Sequence, residues 1–352
     1  MKHNIIPHSK PTISKKECIV AAKVIASGML AQGKYVKSFE SAVANYIGVK
    51  DGVATSSGTA ALHLALLALG VGRGDEVLIP TYVCTALLNA IKYVDATLKL
   101  VDVNWCDGNI NAREAKKRVT KKTKAIIVPH MFGMPANITE LKKLGVPIIE
   151  DLAQSIGATF NGKKVGTFGD IAICSFYATK MMTTGEGGMV LSNSRAMLNK
   201  IRDLRDYDNK ISYALRFNYK MTDIQAVLGI EQLKQLNNFI KRRRMIARMY
   251  DQQLGTDTGI CPQCELPRRR KGRGNVYFRY VIKVSGSAVS IIKKLRAQGI
   301  YAASPIFKPL HSYLQQKGFP IADKLMQHAI SLPIYPSLTD KGSKRIISAV
   351  KE

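Results

Sequence analysis

Apolar residues recur at helical spacing over 13–28 and again over 36–48, with Gly28 and Gly33 punctuating the connection. Two short opening helices are expected. The period then changes. Val53-Ala54-Thr55 is a short strand pattern, followed by the small-residue turn Ser56-Ser57-Gly58-Thr59 and the strong helix formers of 60–67. Buried strands are predicted at 77–80, 98–103, 125–130, 146–151 and 171–176, since each is a short, nearly continuous apolar run bounded by turn residues or helical pattern. A further strand closes the stretch 169–191 after a lysine-bearing turn and a glycine run. Strands alternating with helices at this spacing predict an α/β fold with a mostly parallel sheet covered by helices on both faces.

Past residue 191 the pattern turns helical. Met221 to Phe239 carries Ile224, Val227, Leu228, Leu233 and Leu236 at helical spacing behind Thr222-Asp223, and the helix is expected to run on to Tyr250. It is read as a linker between a large domain, residues 1–235, and a smaller C-terminal α/β domain, residues 236–352. Residues 251–275 read as loop, 276–284 as a strand, and 287–298 and 321–331 as helices.

At 352 residues the chain is long enough for two domains, and a hydrophobic fraction of 46% suits a globular protein. No apolar run approaches the roughly 20 residues needed to span a bilayer, and the first 20 residues lack the uninterrupted apolar core of a signal peptide. A cytoplasmic protein is the expectation. Six cysteines do not make a disulfide framework in a chain of this length. Only Cys261 and Cys264 have metal or redox spacing, and no second pair completes a zinc site, so no metal is expected.

Charge changes the picture more. The excess of 53 Lys+Arg over 25 Asp+Glu gives a net +28, densest over 241–273. Such a field attracts polyanions and speeds capture of small phosphorylated substrates. No helix-turn-helix, zinc-finger or RNA-binding signature accompanies it, and a generally basic proteome would produce the same balance.

The candidate chemistry centres on Lys180, four residues beyond a buried strand and followed by Thr183, Thr184, Gly185, Gly187 and Gly188. A solubilising charge has no reason to sit there. Gly58 opens a helix whose free N–H groups suit an anion, although a plain Ser/Thr cap explains the same residues. Asp151 ends a predicted strand where parallel sheets place ligands, in competition with a capping box formed with Gln154. His130 is assigned to a local hydrogen bond. A lysine for an aldehyde, an aspartate for a pyridine nitrogen and an anion site for a phosphate are the demands of pyridoxal phosphate (PLP).

These residues carry a resemblance. Phe39-Glu40, SSGTAALHLAL at 56–66, GDEVLIPTY at 74–82, EDLAQSIGA at 150–158, GTFGDIAICSFYATKMMTTGEGGM at 166–189, FNYKMTDIQAVLG at 217–229 and SLPIYPSLT at 331–339 follow in order. The chain thereby resembles the DegT/DnrJ/EryC1/StrS sugar aminotransferases, of the aspartate-aminotransferase fold (PLP fold type I). The resemblance implies Lys180 as the Schiff-base lysine, Asp151 as partner of the pyridine nitrogen and Gln154 near the phenolic oxygen. It implies Gly58, Thr59 and Ser175 as phosphate contacts, and Asn218 as a contact to the phosphate of the neighbouring subunit, hence a homodimer with shared active sites.

Three positions depart from the family pattern. Cys84 stands where an aromatic residue commonly stacks on the cofactor, leaving either Tyr82 or the thiol to cover that face. Lys220 replaces an arginine, a point charge for a rigid fork. Val94-Asp95 replaces Gly-Ala.

The resemblance further implies glutamate as amino donor and a keto-sugar, most often nucleotide-linked, as acceptor; Lys308 and His311, in the loop 305–311, are candidates to line its pocket, in competition with a reading as solvated loop residues. Lysine rather than histidine at 180 favours transamination over removal of a hydroxyl. The alternatives are a PLP-dependent dehydratase or epimerase on the same scaffold, and a basic regulatory protein that binds nucleic acid or a partner.

Overall fold

The computed structural model describes residues 5–255, 264–267 and 270–352. Its centre is a seven-stranded sheet made of β1 (Asp51–Thr55), β2 (Glu76–Pro80), β3 (Thr97–Val101), β4 (Thr123–Pro129), β5 (Ile148–Asp151), β8 (Ile171–Ser175) and β9 (Gly188–Ser192), in the order β1-β9-β8-β5-β4-β2-β3. The five strands from β8 to β3 are mutually parallel. Strand β9 lies antiparallel between β8 and β1. The short strands β6 (Thr159–Phe160) and β7 (Lys163–Lys164) join β11 (Arg273–Gly274) in a small sheet. A third sheet has the order β10-β12-β13, from Cys264–Glu265, Tyr280–Val284 and Ala329–Leu332.

Burial on both faces explains the near-continuous apolar runs of the central strands. One face packs on the helix Lys34–Ile47 and the front of the helix Asp223–Leu254, through Phe39, Val43, Ile126, Phe176 and Leu236. The other packs on the helix Gly58–Ala68 and its neighbours, through Leu62, Leu66, Ile79, Ile127 and Val190. A third core gathers Ile246, Tyr250, Tyr280, Leu295 and Ile346 around the three-stranded sheet. It also takes in Ile6, which bridges to Ile300.

The helix Asp223–Leu254 carries residues of two of these cores along its length. Thr222 and Gln225 form a capping box at its start. The capped helix then caps another, because Asp223 Oδ1 accepts from the amides of Gly33 and Val36 at 3.0 and 2.9 Å. Further along, Gly229 admits Phe39: a Cβ there would lie 2.5 Å from the ring.

One predicted element needs correction. The helix expected over 321–331 spans Pro320–His328, with proline at its first position. Ala329–Leu332 is instead β13, because Ile330 and Leu332 pair with β12 and bury in the third core.

Candidate functional site

The site lies at the carboxyl ends of β5 and β8. Asp151 ends β5 opposite Ile173 of β8, and Ser175 ends β8 two residues later. The capping-box reading of Asp151 fails, since no helix follows it. Asp151 Oδ1 accepts from Ala153 N at 2.8 Å, closing a turn. Gln154 Oε1 instead accepts from Phe132 N at 2.8 Å. Burial pushes the Asp151 pKa above the usual carboxylate range, against the pull of the Ala153 amide and of the Lys180 charge.

Lys180 occupies the turn after β8, its N–H donating to Tyr177 O. Its ammonium lies 5.5 Å from the Phe278 ring centroid. Burial lowers its pKa; Cys84 and Asp151 act in the opposite sense, and the cationic Arg279 acts with burial. The turn is held by Thr183 Oγ1, which donates to Phe176 O at 3.2 Å and accepts from Gly185 N at 2.9 Å.

The third part is the N-terminus of the helix Gly58–Ala68. Ser57 caps it, accepting from Ala60 N at 3.1 Å. The cap takes neither the Gly58 nor the Thr59 amide, so the cap and anion readings are compatible. Gly58 is required by packing: a Cβ would stand 2.7 Å from Ser175 Cβ and 3.1 Å from its Oγ. The absent side chain brings a serine hydroxyl to the helix N-terminus, which makes an anion cradle of amides and hydroxyl.

Glu150, next to Asp151 in β5, anchors a buried network of its own. Glu150 is fully buried and accepts from His130 Nε2 at 3.0 Å and from the amides of Gly166, Phe168 and Gly169 at 2.9, 2.7 and 2.7 Å. His130 Nδ1 accepts from Ala136 N at 3.0 Å, so its Nε2 carries the proton given to Glu150. This is the local role expected of His130.

Other predicted residues fall in several places. Tyr82 is fully buried in the core against Phe132, while Cys84 is exposed. Asn218 is exposed on the segment before the long helix. Lys220 is tied to Asp206 at 2.9 Å and to Asp208. His311 does not line an open pocket: buried on Phe319, it bonds Thr81 Oγ1 at 2.8 Å and Asp323 at 2.9 Å. Lys308 is exposed and lies over Tyr313. The Cys261/Cys264 pair lies outside the described residues, the Cys264 backbone in β10 excepted. Among the described residues no cluster of three or more His, Cys, Asp or Glu side chains could hold a metal, and no helix is long and apolar enough to cross a membrane.

Sequence reasoning missed Arg279 and Arg243. Both sit in charge-rich or aromatic surroundings that give no sign of burial, yet Arg243 is 3% exposed and Arg279 influences Lys180.

A buried lysine, a buried carboxylate and a helix N-terminus lie at the carboxyl edge of a mostly parallel sheet, the place where α/β enzymes put their ligands. The chain belongs to the DegT/DnrJ/EryC1/StrS aminotransferase family, whose model matches residues 11–351. It is therefore an aminotransferase with the PLP-transferase fold. A GDP-perosamine synthase of Caulobacter vibrioides is 34% identical, the alignment covering 91% of this chain and 90% of that one. A UDP-N-acetyl-3-dehydro-alpha-D-glucosamine 3-aminotransferase of Acidithiobacillus ferrooxidans is also 34% identical, over 94% and 91%. A sugar aminotransferase of Streptococcus pneumoniae solved in its PLP form superposes with a TM-score of 0.91 at 26% identity, over 99% and 97% of the two chains.

Proposed function

We propose that this protein uses pyridoxal phosphate to move an amino group from glutamate to a nucleotide-linked keto-sugar. The observation that carries the reading is the meeting of Lys180, Asp151 and the Gly58–Thr59–Ser175 cradle at one sheet edge. Each answers one demand of the cofactor: a covalent anchor, a counter-charge to the pyridine nitrogen and a phosphate seat. PLP, when bound, supplies an electron sink for the carbon that gains or loses the amine.

The chain supplies the rest. Asp151 has one oxygen held by Ala153 and carries the negative charge that keeps the ring nitrogen protonated. Lys180 Nζ, with its pKa lowered by burial, moves a proton to and from the substrate carbon. Gln154, fixed by Phe132 N, would meet the cofactor's phenolic oxygen. Of the two residues that could cover the ring, exposed Cys84 fits better than Tyr82, whose ring is consumed by the core. The nucleotide linkage is supported by the nucleotide-linked sugars in the names of the two relatives and by the +28 charge, which concentrates diphosphates.

We further infer two domains meeting in the helix Asp223–Leu254, and a homodimer in which Asn218 reaches the partner's cofactor phosphate. A cytoplasmic location completes the reading.

The direct test is a half-reaction. Adding L-glutamate to the PLP-loaded protein should shift the absorbance of the lysine-bound cofactor to that of the amine form, with stoichiometric release of 2-oxoglutarate. Lys180→Ala should neither be trapped by borohydride nor turn over. Failure of every amine donor to convert the cofactor would overturn transamination in favour of dehydration or epimerisation.

A further inference from the structure

Phe278 reaches the site on the segment that leads into β12, far along the chain from β5 and β8. Its ring centroid lies 5.5 Å from Lys180 Nζ and 5.3 Å from the Arg279 guanidinium carbon, so two cations share one ring. The negative face of an aromatic ring attracts a cation within about 6 Å of its centroid. Among the described residues the Lys180 amine forms no ion pair, and this ring is what it rests on.

The ring is fixed from several sides. Val276 N donates to Gly133 O at 3.1 Å and Arg279 N to Phe132 O at 3.3 Å, which ties the segment to the turn after β4. Gly133 leaves the room for this approach: a Cβ there would stand 2.9 Å from the amide nitrogens of Tyr277 and Phe278. From the long helix, Arg243 donates from Nη1 to the carbonyls of Ile334, Tyr277 and Phe278 at 2.7, 3.2 and 3.3 Å. Two aromatic residues of this crossing, Phe132 and Tyr277, have φ of 62° and 52°. Bulky side chains avoid that left-handed region, and such strain persists where the surroundings over-determine it, as at active sites. The Phe132 amide of the same crossing holds Gln154. Core filling alone gives no reason for a strained crossing.

We propose that Phe278 is a positioning residue for Lys180: its ring seats the lysine's amine whenever that amine is not bonded to the cofactor. Once an incoming amine has displaced it, Lys180 Nζ must wait close by with a proton to move. Burial favours the neutral amine and the ring favours the ammonium, so the seat keeps both forms within reach. The inference rests on the assignment of Lys180 as cofactor anchor made above.

Labelling of the cofactor-free protein tests the seat without turnover. Acetylation of Lys180 by acetic anhydride over a pH series, followed by mass spectrometry of its peptide, gives the midpoint at which the amine loses its proton. Phe278→Leu and Phe278→Met keep apolar bulk without a ring, and each should move that midpoint down by about one pH unit. Either one that folds decides the question. Phe278→Tyr keeps the ring and should leave the midpoint at the wild-type value. On the PLP-loaded protein the aliphatic variants should slow the glutamate half-reaction about tenfold at little-changed glutamate affinity, with Phe278→Tyr close to wild type. A ring that merely fills space predicts equal midpoints throughout, and that result overturns the proposal, as does an unslowed half-reaction in the aliphatic variants. The midpoints need no cofactor: a wild-type protein that fails in the half-reaction refutes transamination, while a shifted midpoint still upholds the seat.

Discussion

Glu150 and Asp151 are adjacent carboxylates that the fold treats in opposite ways. Burial pushes both up, but the hydrogen bond from His130 and the Gly166 and Gly169 amides bring Glu150 below its ordinary value. For Asp151 the Ala153 amide and the Lys180 charge do not offset the desolvation, and it stays raised. A carboxylate with a raised folded pKa favours folding while protonated, and that contribution is lost as pH climbs from its unfolded pKa through its folded one. Asp151→Asn should therefore stabilise the cofactor-free protein at pH 7 by about 1 kcal/mol while lowering kcat about 10²–10³-fold. Calorimetry and turnover measure the two effects. Full activity in Asp151→Asn would remove Asp151 from the pyridine nitrogen. Apart from the family resemblance, the sequence offered Asp151 as a strand-end residue in competition with a cap. What decided between them, the absence of a following helix, depends on Gln154 being drawn to Phe132 N, a contact between residues 22 apart.

At the scale of elements, Glu150 stitches the loop 166–169 to the end of β5, and that loop leads into β8 and the lysine turn. Its stabilisation is fully present above the ordinary carboxylate pKa of about 4.3 and is lost as pH falls through the lower folded value. Glu150→Gln should cost about 3 kcal/mol at pH 7, with the gap to wild type narrowing toward pH 4 in thermal melts. Equal melting at both pH values would show that the staple contributes nothing. The large strands and the long helix were legible because period and length distinguish them. The boundary at His328 was not: the apolar run of β13 continues the helical pattern without a break, and only pairing with β12 separates them. The two-residue strands β6, β7 and β11 were equally hidden, since nothing so short has a period.

The whole molecule leaves an apolar segment uncovered. Ile211, Tyr213 and Leu215 are 109%, 97% and 70% exposed, on the stretch that leads to Asn218. Exposed apolar clusters of this kind mark association surfaces. Ile211→Asp with Tyr213→Asp should give a monomer by light scattering, with turnover reduced about tenfold or more; an intact, fully active dimer would refute the shared site. The basic zone 241–273 looked from sequence like one patch. Its described members have separate tasks: Arg242 holds Asp340, Arg243 holds the carbonyls of Tyr277 and Phe278, Arg244 donates to Asn275 O and Arg273 holds Asp107. Sequence periodicity cannot show burial of an arginine, because a buried one is written with the same letter as a solvated one.

The bridge between Ile6 and Ile300 has a consequence for synthesis on the ribosome. Nearly three hundred residues separate the two partners, so the segment around Ile6 must wait, unpaired, until the segment around Ile300 has followed it out. His8 waits with it, since its partners Arg279 and Ser331 are also late. Translation speed through the last quarter of the chain therefore sets how long these early residues stay unprotected.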